Sequence, residues 1–324
     1  MAWTCYKLVY QAISPIHIGY GRLGNIQLTR YYILGKNMWG AAVANLTKAI
    51  MQKKGKYELN LYRTIGNIFK ELLIFSYFYP AIDVNNPFIP FYKEDGLYYG
   101  LKSPILTKSE FEQDFISSLP STAIDPSTFS IEEGSLHEVE FITPWTKKTK
   151  RPVYFVGYLF AKKGTSEDYE IKFADNPPSI LINDYELFNA FAQIYVGGEK
   201  RYGFGLLRLC FDKIEIIRNK IFDRYSVELQ DNKFITIISK DLPIFAHLDV
   251  SDTEHINIEG NIEPLVGREW EDEVQRSHQG AGQRLSKGVI CYTPGSVVKS
   301  KATACIERFG RLRLFTRLTE ANNA

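Results

Sequence analysis

The sequence predicts an α+β fold, and three observations predict it. Tyr6, Leu8, Tyr10 and Ala12 alternate with Lys7, Val9 and Gln11, the period-2 pattern of a strand. Met38, Ala42, Leu46 and Ile50 recur at helical spacing. Beyond them, strand-like and helix-like stretches follow in turn as far as residue 211, and mostly strand-like ones after it.

The first strand gives way to a glycine-punctuated loop, Ser14-Pro-Ile-His-Ile-Gly-Tyr-Gly-Arg-Leu-Gly24. A short apolar segment, Tyr31 to Leu34, leads into a helix over Met38–Met51 with Asn37 as its expected N-cap. A second helix is expected from Tyr62 to Ser76, with Ile65, Ile68, Leu72 and Phe75 on one face. Phe88 to Tyr92 and Leu97 to Gly100 read as strands around a Glu-Asp-Gly turn. Residues 109–142 carry eight acids (Glu110, Glu112, Asp114, Asp125, Glu132, Glu133, Glu138, Glu140) and no Lys or Arg, which predicts a loop-rich insertion turned away from phosphate. A basic cluster, Lys147 to Arg151, precedes a strand over Val153–Phe160. After the Asn176-Pro-Pro turn, Asp184 to Val196 has helical spacing, and a glycine-rich loop then leads to a strand over Leu206–Phe211.

That order is a βαββαβ ferredoxin-like plan over residues 1–212, with the insertion at about 105–150. A second, β-rich unit follows over 213–324, with strands expected at Ile214, Tyr225, Lys233, Val289 and Arg311.

Composition narrows the function. With 39 Lys+Arg against 37 Asp+Glu the formal charge is +2, which excludes a basic-tail nucleic-acid binder but leaves room for a local basic groove. Aromatics are 14%, and both sheet faces and base-stacking platforms use them. Cys5, Cys210, Cys291 and Cys305 stand far apart, with no histidine at zinc-ligand spacing, so reduced thiols in a cytoplasmic protein without metal or cofactor are expected. The start of the chain lacks the pattern of a signal peptide, and its most apolar stretch, Leu72 to Tyr79, is too short to span a bilayer.

Gly197-Gly-Glu-Lys-Arg-Tyr-Gly-Phe-Gly205 is the most informative segment. Its glycines (Gly197, Gly198, Gly203, Gly205) let main-chain amides approach a phosphate, because no Cβ intervenes. Lys200 and Arg201 add charge, and Tyr202 or Phe204 could stack on a base. It lacks the Gly-Lys-Ser/Thr ending of a Walker loop. A helix C-cap followed by a tight turn would need the same glycines, and composition leaves the two readings even. His17 is the one histidine in a plausible active loop; packing within the sheet is the stronger reading for a histidine without a partner at fixed spacing. His137, His247, His255 and His278 show no ligand pattern.

Gly35-Lys-Asn-Met-Trp-Gly40 enters a helix, where backbone donors favour an anion near Lys36. Residues 284–318 hold Arg284, Lys287, Lys299, Lys301, Arg308, Arg311, Arg313 and Arg317 against one acid, Glu307, which suits an RNA backbone or a charge-protected edge strand. Arg268 and Arg284, in a second glycine-and-arginine loop system, would face a phosphate or a partner carboxylate.

Together these features resemble the RAMP superfamily of CRISPR-associated proteins. The resemblance rests on Ser14-Pro-Ile-His-Ile-Gly-Tyr-Gly21, on Tyr32-Ile-Leu-Gly-Lys-Asn-Met-Trp-Gly-Ala-Ala42, and on the glycine loop at 197–205, which match the family's two ordered signatures over residues 1–212. Leu265-Val-Gly-Arg-Glu-Trp270, Gly280-Ala-Gly-Gln-Arg284 and Thr293-Pro-Gly-Ser296 make the remainder similar to the larger RAMP subunit of type III-D effector complexes. The resemblance implies a modified RRM-like, ferredoxin-type fold. It also implies a subunit that grips guide RNA (crRNA) beside the large subunit and the backbone RAMP subunits, meets target RNA only through the guide, and needs no membrane. The implied contacts are the glycine loop, His17, Gly19, Gly21, Arg22, Arg30, Lys36, Asn37, Arg268 and Arg284.

Family members that cut target RNA carry an aspartate in the loop after the first strand, whereas residues 14–45 here contain neither Asp nor Glu. A non-cleaving subunit at one end of the filament, holding the guide's 5′ handle, is therefore expected. A cap on the guide's 3′ end and a guide-processing endoribonuclease with His17 as general base or acid are the alternatives.

Overall fold

The computed structural model describes residues 3–58, 60–166, 169–230, 233–253, 256–271 and 280–314. His255, His278 and Arg317 lie outside the described residues. The chain is strand-rich with few helices and belongs to the mixed α+β class.

The first strand, Trp3–Ala12, is the centre of the molecule. It lies between Tyr154–Lys162 and Leu206–Leu209, antiparallel to both, with Tyr6 opposite Leu159 and Tyr10 opposite Leu209. Leu73–Phe75 and Gln193–Tyr195 close the two ends, giving the order 193–195, 206–209, 3–12, 154–162, 73–75. Tyr79–Ala81 and Glu215–Ile217 add short pairings to the two central strands.

One face of this sheet carries the alternating residues seen in the sequence. Tyr6, Leu8 and Tyr10 are fully buried against α1 (Gly35–Lys54) and α2 (Leu61–Leu72). Met38, Ala42, Leu46 and Ile50 supply the α1 stripe, and the helix ends where Gly55 turns left-handed after Lys53 and Lys54. Gly164–Ser166, Tyr169–Asp175, Pro178–Ile182 and Tyr185–Glu186 form a small meander whose Ile171, Ile180 and Ile182 join the same core.

The other face is covered too. Cys5, Tyr158 and Phe160 meet Phe222, Phe234 and Phe245 of the C-terminal unit. Tyr158 lies edge-on to Phe222 at 4.8 Å, and Phe160 packs on Phe234 at 4.5 Å. That unit is built on an eight-stranded sheet that includes Tyr225–Gln230, Lys233–Ile238, Ala302–Ile306, Leu312–Leu314, Val289–Tyr292 and Ile262–Leu265. Even Lys7 is buried, its ammonium reaching Asn85 and Glu215. An open sheet is what an RRM offers to stacked bases. Here that surface is packed at its middle, which leaves loops and the far edge to meet a ligand.

Four local expectations are revised. Asp184–Val196 is not one helix: only α4 (Leu187–Ala190) is helical, and Gln193–Tyr195 forms a strand because it can pair with Leu206–Arg208. The glycine-rich loop therefore joins two strands. The second helix stops at Leu72, because the apolar run Leu73–Phe75 is buried as an edge strand on Leu159–Ala161. Asn37 is not the N-cap of α1; Leu34 is, and its carbonyl accepts from the Asn37 and Met38 amides, which puts Asn37 in the first turn. Residues 109–142 are less irregular than expected. They hold most of α3 (Lys108–Phe115), started by a Thr107–Glu110 capping box, and then a hairpin of Ile116–Ser121 with His137–Ile142.

Candidate nucleic-acid interface

The two glycine motifs, far apart in sequence, are hydrogen-bonded to each other. The Gly198 amide donates to the His17 carbonyl at 2.9 Å, and the Gly205 amide to the Pro15 carbonyl at 2.8 Å. The Leu206 amide donates to Ser14 Oγ at 2.9 Å. The position of the first strand fixes this meeting: Ala12 lies opposite Leu207, so the loop leaving one strand must run beside the loop entering the other.

His17 explains several of the glycines. The residue is 4% exposed, and its Nδ1 donates to the Glu140 carbonyl at 2.6 Å. A Cβ at Gly19 would come within 2.9 Å of the ring, and one at Gly198 within 3.2 Å. Gly197 sits at φ +73 with room for no Cβ, since one would lie 2.0 Å from the His17 carbonyl oxygen. The imidazole is a wedge around which both motifs close. Sequence reasoning missed this, although a histidine flanked by Gly-x-Gly in one motif and facing Gly-Gly in another is the trace it leaves.

Above that base the 197–205 loop makes a 3-10 turn, Lys200–Tyr202. The amides of Gly198, Tyr202, Gly203, Phe204 and Gly205 all donate within the protein. Three of the loop's four glycine amides, those of Gly198, Gly203 and Gly205, are thus engaged within the protein. The loop offers side chains outward: Lys200 and Arg201 are exposed, and Tyr202 is 69% exposed. Desolvation by surrounding chain pulls the Lys200 ammonium below its ordinary value even though the residue as a whole is exposed. Phe204 points the other way, buried edge-on against Phe141 at 5.2 Å.

The strands leaving the loop extend the exposed surface. Gln193, Tyr195 and Arg208 are exposed on one side, while Ile194, Leu207 and Leu209 are buried on the other. Tyr195 and Arg208 were not singled out from sequence; the period-2 alternation around Ile194 and Leu207 carried that signal.

The remaining predicted residues fall into two groups. Gly19, Gly21 and Arg22 lie on the exposed strand Gly19–Leu23, which pairs with Ile26–Thr29. Arg30 is buried: its guanidinium meets Glu263 at 3.1 Å, the Gly19 carbonyl at 3.4 Å, and the Tyr20 ring at 5.0 Å. Glu263 also accepts from His247 Nε2 at 2.6 Å, and His247 Nδ1 in turn accepts from the Tyr77 hydroxyl at 2.7 Å. Burial pushes the Glu263 carboxyl up, but His247 and Arg30 outweigh it and hold it below the usual range. Burial drives the His247 pKa down despite that carboxylate. The pattern is a neutral imidazole donating to a carboxylate that Arg30 neutralises.

Lys36 and Asn37 are half-buried at the start of α1. The Lys36 ammonium is 5.6 Å from the centre of the Phe309 ring, and a Cβ at Gly267 would lie 2.7 Å from it. Arg268 and Arg284 are exposed on the paired strands Arg268–Glu271 and Gly280–Leu285. The Arg30–Glu263 pair thus ties the first glycine hairpin to the strand that leads into the Arg268 hairpin. The rest of the C-terminal basic cluster is partly matched from within: Arg311 and Arg313 each reach Glu307 at 3.5 Å, and Lys299 reaches Glu259 at 2.6 Å.

An acidic groove of about 440 Å³ lies beside the hairpin, lined by Glu112, Glu138, Glu140 and Lys147. Glu140 is engaged there, accepting from the Thr29 amide, while the Tyr31 hydroxyl donates to Glu112 at 2.7 Å. Among the described residues no cluster of three or more His, Cys, Asp or Glu is placed to hold a metal ion, and no helix is long and apolar enough to cross a membrane.

The sequence model of the RAMP superfamily matches residues 9–208, more than half of the chain. The chain belongs to the RAMP superfamily. The match starts inside the first strand and ends on the strand after the glycine loop, so both hydrogen-bonded motifs lie within it. No curated protein matches. Among solved structures, a chain of the type III-B Cmr-beta complex bound to cognate target RNA and AMPPnP is 10% identical, with 91% of this chain and 86% of that chain covered at a TM-score of 0.47. A chain of Cmr-beta bound to cognate target RNA is 12% identical over 90% and 86%, at 0.46. Family membership, and not these likenesses, carries the functional reading of this RAMP protein.

Proposed function

We propose that this RAMP protein is a non-catalytic guide-RNA-binding subunit of a type III RNA-guided effector complex, working in the cytoplasm in antiviral defence. One observation carries the reading: the family's two glycine motifs lock together around His17 and turn Lys200, Arg201 and Tyr202 outward as a cationic and aromatic apex. Cations on such an apex suit a ribose-phosphate strand, and a ring beside them suits a base stacked without regard to sequence. Target sequence is then read by base pairing with the guide, not by the protein. The order of the central sheet supports the finer fold reading, a ferredoxin-like core with an insertion: strands 206–209, 3–12, 154–162 and 73–75 are neighbours in that order, all antiparallel.

The non-cleaving reading draws on His17 and Glu140. A general base must reach the proton it removes. His17 is instead buried under two glycines with Nδ1 on a carbonyl, and the nearby Glu140 carboxylate serves the Thr29 amide. A place at the filament end that holds the 5′ handle, beside the large subunit, remains our preferred assignment over the 3′ end.

The test is a binding titration of repeat-derived guide RNA at several salt concentrations. The wild-type chain should bind with a steep salt dependence, and Lys200→Ala with Arg201→Ala should weaken and flatten it. Binding that ignores both substitutions and salt would overturn the reading. Specific metal-independent cutting of repeat RNA, lost in His17→Ala, would establish the endoribonuclease instead.

A further inference from the structure

The hairpin of Ile116–Ser121 with His137–Ile142 carries a tip that the RNA-binding reading does not use. The tip is ordered. The Asp125 amide donates to the Ser130 carbonyl at 2.9 Å, and the Glu132 amide to the Ala123 carbonyl at 3.0 Å. Asp125 caps its own turn by accepting from the Ser127 amide and hydroxyl at 2.7 and 2.6 Å. Ile124 and Ile131 face each other as a bridge, so their side chains share a side.

The tip and the strand leading into it display apolar side chains to solvent. Phe129 is 85% exposed, Ile131 68%, Ile124 65%, Leu136 52% and Leu119 46%. No other stretch of that length among the described residues exposes as many large apolar side chains. Phe129 is held at φ +54, a left-handed backbone that an aromatic residue avoids unless its surroundings impose it. Around this patch lie Asp125, Glu132 and Glu133, in a segment with eight acids and no Lys or Arg. Exposed apolar patches rimmed by polar residues mark interaction sites, and an aromatic anchor at their centre is the usual source of affinity.

Charge selects the partner. An anionic rim repels RNA phosphates and an anionic lipid surface alike. It suits a protein surface of opposite sign. We infer that the 116–142 hairpin is a docking arm for a neighbouring protein subunit of the same assembly, one that presents an apolar socket rimmed by lysine and arginine. Phe129 enters the socket with Ile124 and Ile131 beside it, and Glu132 and Glu133 meet the rim. This inference rests on the effector-subunit reading.

The experiment uses the full chain, tagged and co-expressed with guide RNA and the remaining protein subunits of the host's type III complex. Recovery of each subunit is quantified, and the guide-RNA affinity of the isolated chain is measured in parallel. Phe129→Ser with Ile131→Ser should reduce recovery of one particular subunit at least tenfold while guide-RNA affinity stays within twofold. Glu132→Lys with Glu133→Lys should do the same, and Phe129→Leu should restore recovery. Equal recovery for all variants would overturn the proposal. So would crosslinking of the tip to RNA, or self-association of this chain that the serine variants abolish. A wild-type chain that binds guide RNA but loses no partner on mutation defeats the docking arm alone; one that binds neither RNA nor subunits defeats the effector reading, and the arm with it.

Discussion

Arg30 and Arg201 use the same chemistry for different ends. Arg30 is buried against Glu263 and the Gly19 carbonyl, where it joins the two halves of the molecule. Arg201 stands exposed on the apex of the glycine loop. The same contrast divides the loop's glycines. Gly197 and Gly205 are at its base, where a Cβ would lie 2.0 Å from the His17 carbonyl oxygen and 2.2 Å from that of Val196. Gly203, at the apex, has φ +83 but nothing within 4 Å of where a Cβ would be. A glycine-rich motif is therefore part frame and part contact surface, and its letters do not say which is which.

The sharpest way to break that division is Gly197→Ala. The left-handed backbone costs about 1–2 kcal/mol and forced overpacking about 1–3 more, so a loss of about 2–5 kcal/mol is expected. Thermal melting should fall by about 3–8 °C. An alanine there that leaves the melting temperature unchanged would show that the base is not a frame. Glu263→Ala comes next. It leaves Arg30 buried without a carboxylate, a change worth about 3 kcal/mol in well-buried pairs. Denaturant unfolding should show it, and Arg30→Met in the same background should recover part of the loss.

The apex should behave in the reverse manner. Tyr202→Ala should leave the melting temperature unchanged and weaken guide-RNA binding by about 1–2 kcal/mol if a base stacks there. Lys200→Ala with Arg201→Ala should cost a comparable amount, and should lower the slope of log affinity against log salt by about 1.4, the value for two phosphate contacts on a single strand. A stability loss without a change in salt slope would place these cations in the frame with Arg30.

Much of this was legible in the sequence. The first strand, the α1 stripe and the two glycine motifs all left local patterns: alternation at 6–12, four-residue spacing at 38–50, and glycines at 19, 21, 197 and 198. What was not legible depended on distant partners. Gln193–Tyr195 looks helical until Leu206–Arg208 is there to pair with it. Arg30 looks like a surface cation in a glycine hairpin, since Glu263 lies more than two hundred residues away. The Gly198 and Gly205 amides expected to be free in the 197–205 loop are taken up because His17 and Pro15 supply carbonyls from the other motif. Propensity reads neighbours along the chain, and these outcomes are decided by neighbours in space.

The smallest expected effect separates frame from apex by pH. His247 sits between the Tyr77 hydroxyl and Glu263, with the Tyr32 ring beside it and Arg30 and Arg311 contributing positive charge. Its folded pKa is depressed by burial, so the unfolded chain takes up a proton that the folded chain refuses. Stability contributed by the neutral imidazole is then full above about 6.5, the unfolded value, and declines as pH falls below it toward the lower folded value. His247→Gln keeps a polar side chain in that position and should flatten the decline in a chemical-denaturation series between pH 7.5 and 5.5. Arg201 carries its charge throughout that range, so its contribution to guide-RNA affinity should not follow the same curve. If RNA affinity and stability fell together with one midpoint, and His247→Gln removed both, the frame and the apex would be one coupled unit and the contrast between Arg30 and Arg201 would fail.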